Sequence, residues 1–231
     1  MRITHSATIV ILMILFFVSV GHLVAQGSKG KEEGNVAFKW AFGVVVGEGE
    51  DRGLVPITKD TVLKSGDDLK MFVQLQNNCF VYVLYVSSTG ELDLLFPYNA
   101  KQFKNDYSQG KNYYIPEGRS WFTLDKNLGR ETFYLIASKG RLRDLESKVE
   151  KYRAAKGPAK SDLAKDIVAE IRDLKKRYKS YATLAERPIS IGGNVRGKPT
   201  GADALRPDVA DIAVEIVANN FYSKTFTIEH Q

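Results

Sequence analysis

Residues 79–96 read CFVYVLYVSSTGELDLLF, which is two runs of strand-forming residues joined by a short polar segment. β-Branched and aromatic side chains fit the pleated surface of a strand, whereas Ser, Thr and Gly between them are typical of a turn. The segment therefore predicts a β-hairpin with strands at 79–86 and 92–96. Within it Cys79, the single cysteine, is expected to be a buried and unreactive thiol.

Short segments of similar composition recur on both sides of this hairpin. Residues 36–46 alternate large apolar side chains with smaller or polar ones, as in a strand with one buried face. Further candidate strands lie at 69–75, 113–115, 121–124 and 131–138. Many short strands separated by turn residues favour an antiparallel sandwich or barrel. We therefore predict a mainly β (α+β) fold, an antiparallel β-sandwich-like domain.

A helix hairpin is predicted as an insertion at about 140–186, where the apolar residues become spaced three and four apart. Each of two sets then lies on one face of a helix. The sets are Leu142, Leu145, Val149 and Tyr152, and Leu163, Ile167, Ile171, Leu174, Tyr178 and Tyr181. Gly157 and Pro158 separate the two helices, and Ser161 is a candidate N-cap for the second. We expect both apolar faces to pack on each other or on the sheet.

The pattern after the helices returns to strands. Residues 211–218 fit either a strand or a helix, and we choose a strand because the β-prone run 224–229 follows as a partner of similar length. In that last strand Phe226 and Ile228 lie two positions apart and should both enter the core. The closing strand is expected to complete the sheet that begins before the helices.

The N-terminus predicts export from the cytoplasm. Arg2 precedes the apolar run 7–20, and Ala25 offers a small residue for cleavage, so 1–25 has the pattern of a signal peptide. Cleavage near Ala25 leaves an extracytoplasmic protein, periplasmic or secreted, with a flexible linker at 26–35 and the β-rich domain at 36–231. An uncleaved N-terminal anchor is the alternative.

Composition limits the chemistry of the exported chain. It keeps one histidine, His230, and one cysteine, Cys79. A metal cluster of His and Cys cannot be built from these two residues, and the common catalytic triads require a histidine next to the nucleophile. We expect no cofactor, no metal site and no enzymatic activity. The enzyme alternative is a hydrolase that uses Cys79 with His230 or a pair of carboxylates; Glu131 itself is interpreted as the salt-bridged end of a strand, together with Arg130.

Positive charge is concentrated in the helical segment. Between residues 139 and 179, Lys and Arg outnumber Asp and Glu by 14 to 7, whereas the whole chain carries a net charge of +6. A solvated helix face is the preferred interpretation, and an anionic membrane surface is the alternative partner. The basic surface candidates are Lys175, Lys176, Arg177 and Lys179. Nucleic acid is not expected as a partner of an exported protein.

A polar loop that carries several aromatic residues is the candidate ligand-binding surface. Exposed tyrosines there could stack on sugar rings or dock a peptide, although the same rings could instead cover the open end of the sheet. The ligand-binding candidates are Asn99, Lys101, Gln102, Phe103, Tyr107 and Tyr113.

Five sequence blocks resemble the domain-of-unknown-function family DUF4384 over roughly residues 63–139. They are LKSGDDL at 63–69, CFVYVL at 79–84, LLFPYN at 94–99, YIP at 114–116 and GRETFYLIAS at 129–138. The resemblance implies a β-rich extracytoplasmic module of bacteria, without catalytic residues that could be assigned here. The expected function is therefore a non-catalytic binding or assembly module of the cell envelope or secreted fraction, with an envelope protein or cell-wall polymer as its partner.

Overall fold

The computed structural model describes residues 36–47, 53–99, 101–178, 185–188 and 207–231, with the backbone alone at 185–188. The predicted signal peptide at 1–25 and the linker at 26–35 lie outside these ranges. The strands are β1 (Val36–Val46), β2 (Gly53–Pro56), β3 (Thr61–Leu63), β4 (Asp68–Leu75), β5 (Phe80–Val86), β6 (Leu92–Phe96), β7 (Asn112–Ile115), β8 (Phe122–Thr123), β9 (Gly129–Ser138), β10 (Ala185–Pro188), β11 (Val214–Ala218) and β12 (Phe221–His230). The helices are α1 (Gln102–Asn105), α2 (Arg143–Ala154) and α3 (Pro158–Tyr178), and a 3-10 turn covers Val209–Ile212.

Within the described ranges the strands form two sheets. The first has the order β10-β11-β1-β4-β7, with β2 also on β1 and β8 also on β4. The second has the order β3-β12-β9-β5-β6. Neighbours run antiparallel, as β9 does with β5 and β12, except that β3 is parallel to β12. The predicted mainly β, antiparallel sandwich-like fold is confirmed.

The core between the two sheets is built from alternate residues of their central strands. Phe42 of β1 meets Phe133 of β9 with ring centroids 5.0 Å apart and Phe226 of β12 at 5.4 Å. Trp40, two positions before Phe42, stacks on Phe226 at 6.1 Å. Because side chains two apart on a strand share a face, this aromatic layer follows directly from the period of two in β1.

The helices cover the other face of the second sheet. Residues that alternate with the inner core, such as Tyr82 and Ile136, pack in one cluster with Val149, Ile167 and Ile171. The layers are therefore sheet, sheet and helices, and the second sheet is buried on both faces. The expected packing of the apolar helix faces is confirmed. The Ser161 N-cap is wrong, because α3 begins at Pro158, whose fixed φ suits a first helical turn.

The predicted pairing of the two last strands is also wrong. β11 begins at Val214 and pairs with β1, whereas β12 pairs with β9, with Phe221 opposite Ser138. The link Asn219-Asn220 crosses from one sheet to the other, and Asn220 adopts a φ of 62°, which Asn tolerates better than most residues. An alternating strand can complete either sheet, so its pattern did not reveal the partner. The burial of Phe226 and Ile228 is confirmed.

Three short strands were not predicted, namely β2, β3 and β10. β2 folds back antiparallel onto the second half of β1. At Gly43 of β1 an added Cβ would lie 2.7 Å from Leu54 Cδ1, so glycine permits this close approach. Among the described residues, none of the helices combines the length and apolar character needed to cross a bilayer.

Candidate functional site

Cys79 lies in the core, and the structure confirms its predicted burial. Its side chain is 1 % exposed, and its Sγ donates a long hydrogen bond to the carbonyl oxygen of Ala37 at 3.7 Å. Burial raises the pKa of the Cys79 thiol to about 11. A nucleophilic cysteine needs a lowered pKa and access to solvent. The Cys79 thiol has neither property.

Cys79 and His230 cannot form a catalytic pair. Cys79 precedes Phe80, which pairs with Ser138 at one end of β9, whereas His230 pairs with Gly129 at the other end. Nine residue steps along a strand span about 30 Å. A nucleophile and its base must lie within about 3 Å of each other. The structure therefore does not bring Cys79 and His230 together as a nucleophile and its base.

We expect the native protein to react slowly with thiol reagents. The shift of the Cys79 pKa from 9.0 to about 11 lowers the thiolate fraction near pH 8 by about 100-fold, and burial lowers the rate further. Labelling by a maleimide or a disulfide reagent, in the native protein and in denaturant, measures this directly. Similar rates in both states would contradict the assignment of Cys79 to the core.

The candidate aromatic loop closes one end of the sandwich. Tyr113 is 1 % exposed and Gln102 is 3 % exposed, and the rings of Phe103 and Tyr107 lie 4.8 Å apart, half-buried. The hydroxyl of Tyr107 accepts a hydrogen bond from the Val81 N–H at 2.8 Å. Tyr113 and Gln102 are thus not available to a ligand. The loop fits the alternative interpretation, in which its aromatic rings cover the open end of the sheet.

Asn99 and Lys101 are the exposed members of the six ligand-binding candidates. The side chain of Asn99 accepts a hydrogen bond from the Lys101 N–H at 3.0 Å, just before α1. This bond orders the start of the short helix in the manner of an Asx turn. Asn99 and Lys101 therefore have a local structural role, and the structure does not gather the six candidates into one accessible surface.

The basic candidates on α3 are largely engaged with other groups. Lys175 is half-buried against the second sheet, donates a hydrogen bond to the Thr225 hydroxyl and lies 5.7 Å from the Tyr134 ring centroid. Lys176 Nζ lies 3.7 Å from Asp173 Oδ1, and Arg177 Nη2 lies 3.5 Å from Glu170 Oε1. Lys179 lies outside the described residues. Acidic residues thus lie beside Lys176 and Arg177, two of the three basic residues of the run 175–177.

A pocket opens at the end of the sandwich opposite the aromatic loop. It has a volume of about 360 Å³ and lies where the space between the two sheets reaches solvent. The residues around it come from β4, the ends of β5 and β6 with the turn between them, the segment around β8, the first half of β9 and the end of β12. They are Leu69, Tyr85, Ser87, Ser88, Thr89, Glu91, Asp93, Leu95, Phe122, Thr123, Leu124, Asp125, Asn127, Glu131, Phe133 and His230. We call this site the Glu131 pocket.

Strand register explains why its polar groups converge. Glu131 is two positions before Phe133, and His230 is two positions after Ile228, so both side chains share the inner face of the second sheet with these core residues. Glu131 pairs with Ile228, which makes His230 its diagonal neighbour across β9 and β12. Tyr85 pairs with Phe133 and lies on the same face.

Two buried polar side chains line the Glu131 pocket. Glu131 is 3 % exposed, and its Oε2 accepts a hydrogen bond from the Tyr85 hydroxyl. Burial, followed by the hydrogen bond to Glu131, raises the pKa of Tyr85, and the nearby Asp125 and Asp93 add to this rise. Tyr85 therefore stays a neutral donor to Glu131.

His230 is the second buried polar side chain. It is 3 % exposed, and its Nε2 lies 3.0 Å from Ser65 Oγ. Its Nδ1 is buried and has no hydrogen-bond partner among the described residues. A buried polar atom without a partner is costly, and His230 is among the residues that line the Glu131 pocket.

The lining is acidic. Three exposed carboxylates, Glu91, Asp93 and Asp125, line the pocket together with the buried Glu131, and none of the described lining residues is Lys or Arg. The interpretation of Glu131 as a partner of Arg130 is wrong, because the Arg130 Nε binds Glu229 Oε1 at 2.7 Å. Within the described residues no group of three His, Cys, Asp or Glu side chains could hold a metal ion.

Residues 62–141 match the model of a family described as a domain of unknown function, DUF4384. This match confirms the resemblance found in the sequence blocks, and it covers less than half of the chain. Every residue that lines the Glu131 pocket falls inside the matched segment except His230. No curated protein and no solved structure matches the chain.

Proposed function

We propose that this chain, whose residues 62–141 match a family without an assigned function, is a non-catalytic binding module of the bacterial cell envelope or secreted fraction. The observation that carries the proposal is the Glu131 pocket, which combines a concave shape with two buried polar side chains. Ligand sites are typically concave and mostly apolar, with a few polar groups that fix orientation. The signal-peptide pattern predicted from the sequence of residues 1–25 supports the location.

The content of the pocket favours binding over catalysis. Its apolar floor includes Leu69, Phe122 and Phe133, and polar side chains make up the rest of the lining. Nucleophilic catalysis normally needs a nucleophile beside a base. His230, a candidate base, has the Ser65 hydroxyl as a hydrogen-bond partner, and Ser65 is not among the residues that line the pocket. The residues of this pocket therefore suit recognition of a ligand better than nucleophilic catalysis.

We expect substitution of Thr89 by Trp to abolish ligand capture. Thr89 is an exposed residue of the β5–β6 turn that lines the pocket, so an indole there would fill the entrance without entering the core. The matched control is Gln109→Trp, at an exposed position in the loop at the opposite end of the sandwich. Immobilised exported protein is incubated with envelope extract, and the retained components are compared by mass spectrometry.

A component retained by the wild type and by Gln109→Trp but lost from Thr89→Trp supports the proposal. Retention that is unaffected by Thr89→Trp would mean that the Glu131 pocket is not the binding site. Conversion of the retained component into products by the wild-type chain would contradict the non-catalytic assignment and support the alternative of a carboxylate-dependent hydrolase.

We do not expect the helix hairpin to hold the protein on a membrane surface. The side chains of Lys175, Lys176 and Arg177 already contact Thr225, Asp173 and Glu170, respectively. Each basic residue near an anionic surface contributes about 1 kcal/mol, and Asp173 and Glu170 lower the net charge that this part of α3 presents. Co-sedimentation with vesicles that contain phosphatidylglycerol should therefore retain little protein at physiological salt. Strong retention that salt removes would favour the membrane-surface alternative.

A further inference from the structure

The chemistry of the Glu131 pocket selects a particular class of ligand. Its lining combines the apolar floor with four carboxylates, and one of them, Glu131, is itself buried. A buried carboxylate is costly unless it is paired or hydrogen-bonded, and a cation that enters the pocket would give Glu131 a further partner. Anionic ligands would instead meet Glu91, Asp93 and Asp125 at the entrance.

The hydrogen-bonding groups inside fit a donor rather than an acceptor. Glu131 offers carboxylate oxygens, of which Oε2 already accepts from Tyr85. His230 Nδ1 accepts a hydrogen bond when Nε2 carries the proton and donates it to Ser65 Oγ, which lies at 3.0 Å. A primary ammonium group has three N–H donors and no acceptor, so it matches this arrangement.

The volume of the pocket and its apolar residues determine what kind of group can carry the ammonium. A volume of about 360 Å³ is near the lower end for small-molecule sites, so it suits one side chain or a short alkyl chain rather than an oligosaccharide. Leu69, Leu95, Leu124 and the two phenylalanines of the lining would contact methylene groups. A lysine stem has this composition, with an apolar chain and a charged end.

We infer that the Glu131 pocket, taken as the ligand site proposed above, binds a primary ammonium group carried on an apolar stem. The ammonium group lies between Glu131 and His230, and the stem lies against the apolar floor. A lysine side chain of a peptide and a free alkyl diamine share this chemistry, and the experiment distinguishes the two sources.

The test titrates the full exported chain, labelled with ¹⁵N, with three probes. Nα-acetyl-lysine N-methylamide carries the ammonium group, Nα-acetyl-norleucine N-methylamide has the same four-carbon stem without it, and cadaverine is a free diamine. We expect saturable shifts at Thr123, Asn127 and His230, with a Kd of about 1 mM for the capped lysine, as is usual for a ligand of this size. The norleucine probe should bind at least about tenfold more weakly.

Variants of the protein test whether binding of the ammonium group depends on the charge of Glu131. Glu131→Gln keeps the size of the side chain and an acceptor for Tyr85, and it should weaken the capped lysine by about tenfold or more. Glu150→Gln changes an exposed carboxylate of α2 outside the pocket and should have no effect. Asp93→Asn and Asp125→Asn, at exposed rim positions, give smaller losses and keep the test valid if Glu131→Gln does not fold.

Equal affinity for the lysine and norleucine probes would overturn the inference, and so would the absence of saturable shifts with every amine. Either result can occur while Thr89→Trp still abolishes capture of an envelope component, in which case the pocket remains the ligand site and only the ligand class is wrong. Tighter binding of the capped lysine than of cadaverine identifies a peptide side chain as the source, and the reverse order identifies a free amine; both outcomes support the inference.

Discussion

Substitution of Phe226 by Ala is expected to lower the free energy of unfolding by about 3–5 kcal/mol, which is a large part of the stability of a typical domain. Phe226 is 1 % exposed, and its ring contacts Trp40 and Phe42 across the two sheets. Alanine would leave a cavity between rigid aromatic neighbours that cannot close it. Urea unfolding followed by tryptophan fluorescence measures the change.

Thr227→Ala is the matched control on the same strand. Thr227 is half-buried and faces away from Phe226, and its backbone N–H, which donates to Asp60 Oδ1 at 3.0 Å, is kept in the variant. The control should cost less than about 1 kcal/mol. A Phe226→Ala loss no greater than that of Thr227→Ala would show that β12 does not belong to the core.

Substitution of Ile171 by Ala is expected to destabilise the protein by about 2–5 kcal/mol. Ile171 has no exposed surface and belongs to the cluster between α3 and the second sheet. The hydroxyl of Tyr82 holds the helices to this sheet independently, since it donates to Glu146 Oε1 at 2.7 Å and accepts from the Leu142 N–H at 2.9 Å. The variant should therefore unfold in a single transition together with the sheets.

Val168→Ala on the same helix is the control for Ile171→Ala. Val168 is only partly buried, so its replacement should cost about 1 kcal/mol or less. Thermal unfolding followed by circular dichroism, at wavelengths that report helix and strand, checks both variants. A separate early loss of the helical signal in Ile171→Ala would mean that the hairpin is an independent unit rather than a layer of the sandwich.

Local patterns predicted most of the elements. The hairpin at 79–96 is β5 and β6, because dense strand formers on both sides of Ser and Gly leave few other conformations. The helices appear at the expected positions because a spacing of three and four is the direct signature of a helix with one buried face. These patterns are short-range, so they do not depend on which sheet an element joins.

Non-local pairing could not be predicted in the same way. β11 and β12 are adjacent in the chain and both alternate, yet β11 joins β1 and β12 joins β9. The short edge strands β2 and β3 also owe their structure to a partner that lies elsewhere in the chain. In each case the strand pattern specifies a buried face but leaves the neighbouring strand undetermined.

The Glu131 pocket was missed because its residues are far apart in the chain. Glu131 carried a usable signal, since it shares the period of two with Phe133 and Leu135 and therefore points into the core as a charged residue. The adjacent Arg130 suggested a salt bridge, but neighbouring residues on a strand face opposite sides. His230 could be placed beside Glu131 only once the register of β9 and β12 was known.

The position of β12 beside β9 also has a consequence for the order in which the protein is made. β9 receives one neighbour early, because β5 precedes it in the chain, but β12 is synthesised only after both helices and β11. Until then one edge of β9 has unpaired backbone groups, which is a feature that promotes aggregation. The chain is therefore vulnerable to aggregation between the synthesis of β9 and that of β12. A chaperone that shields the exposed edge of β9 during this interval would raise the yield of folded protein.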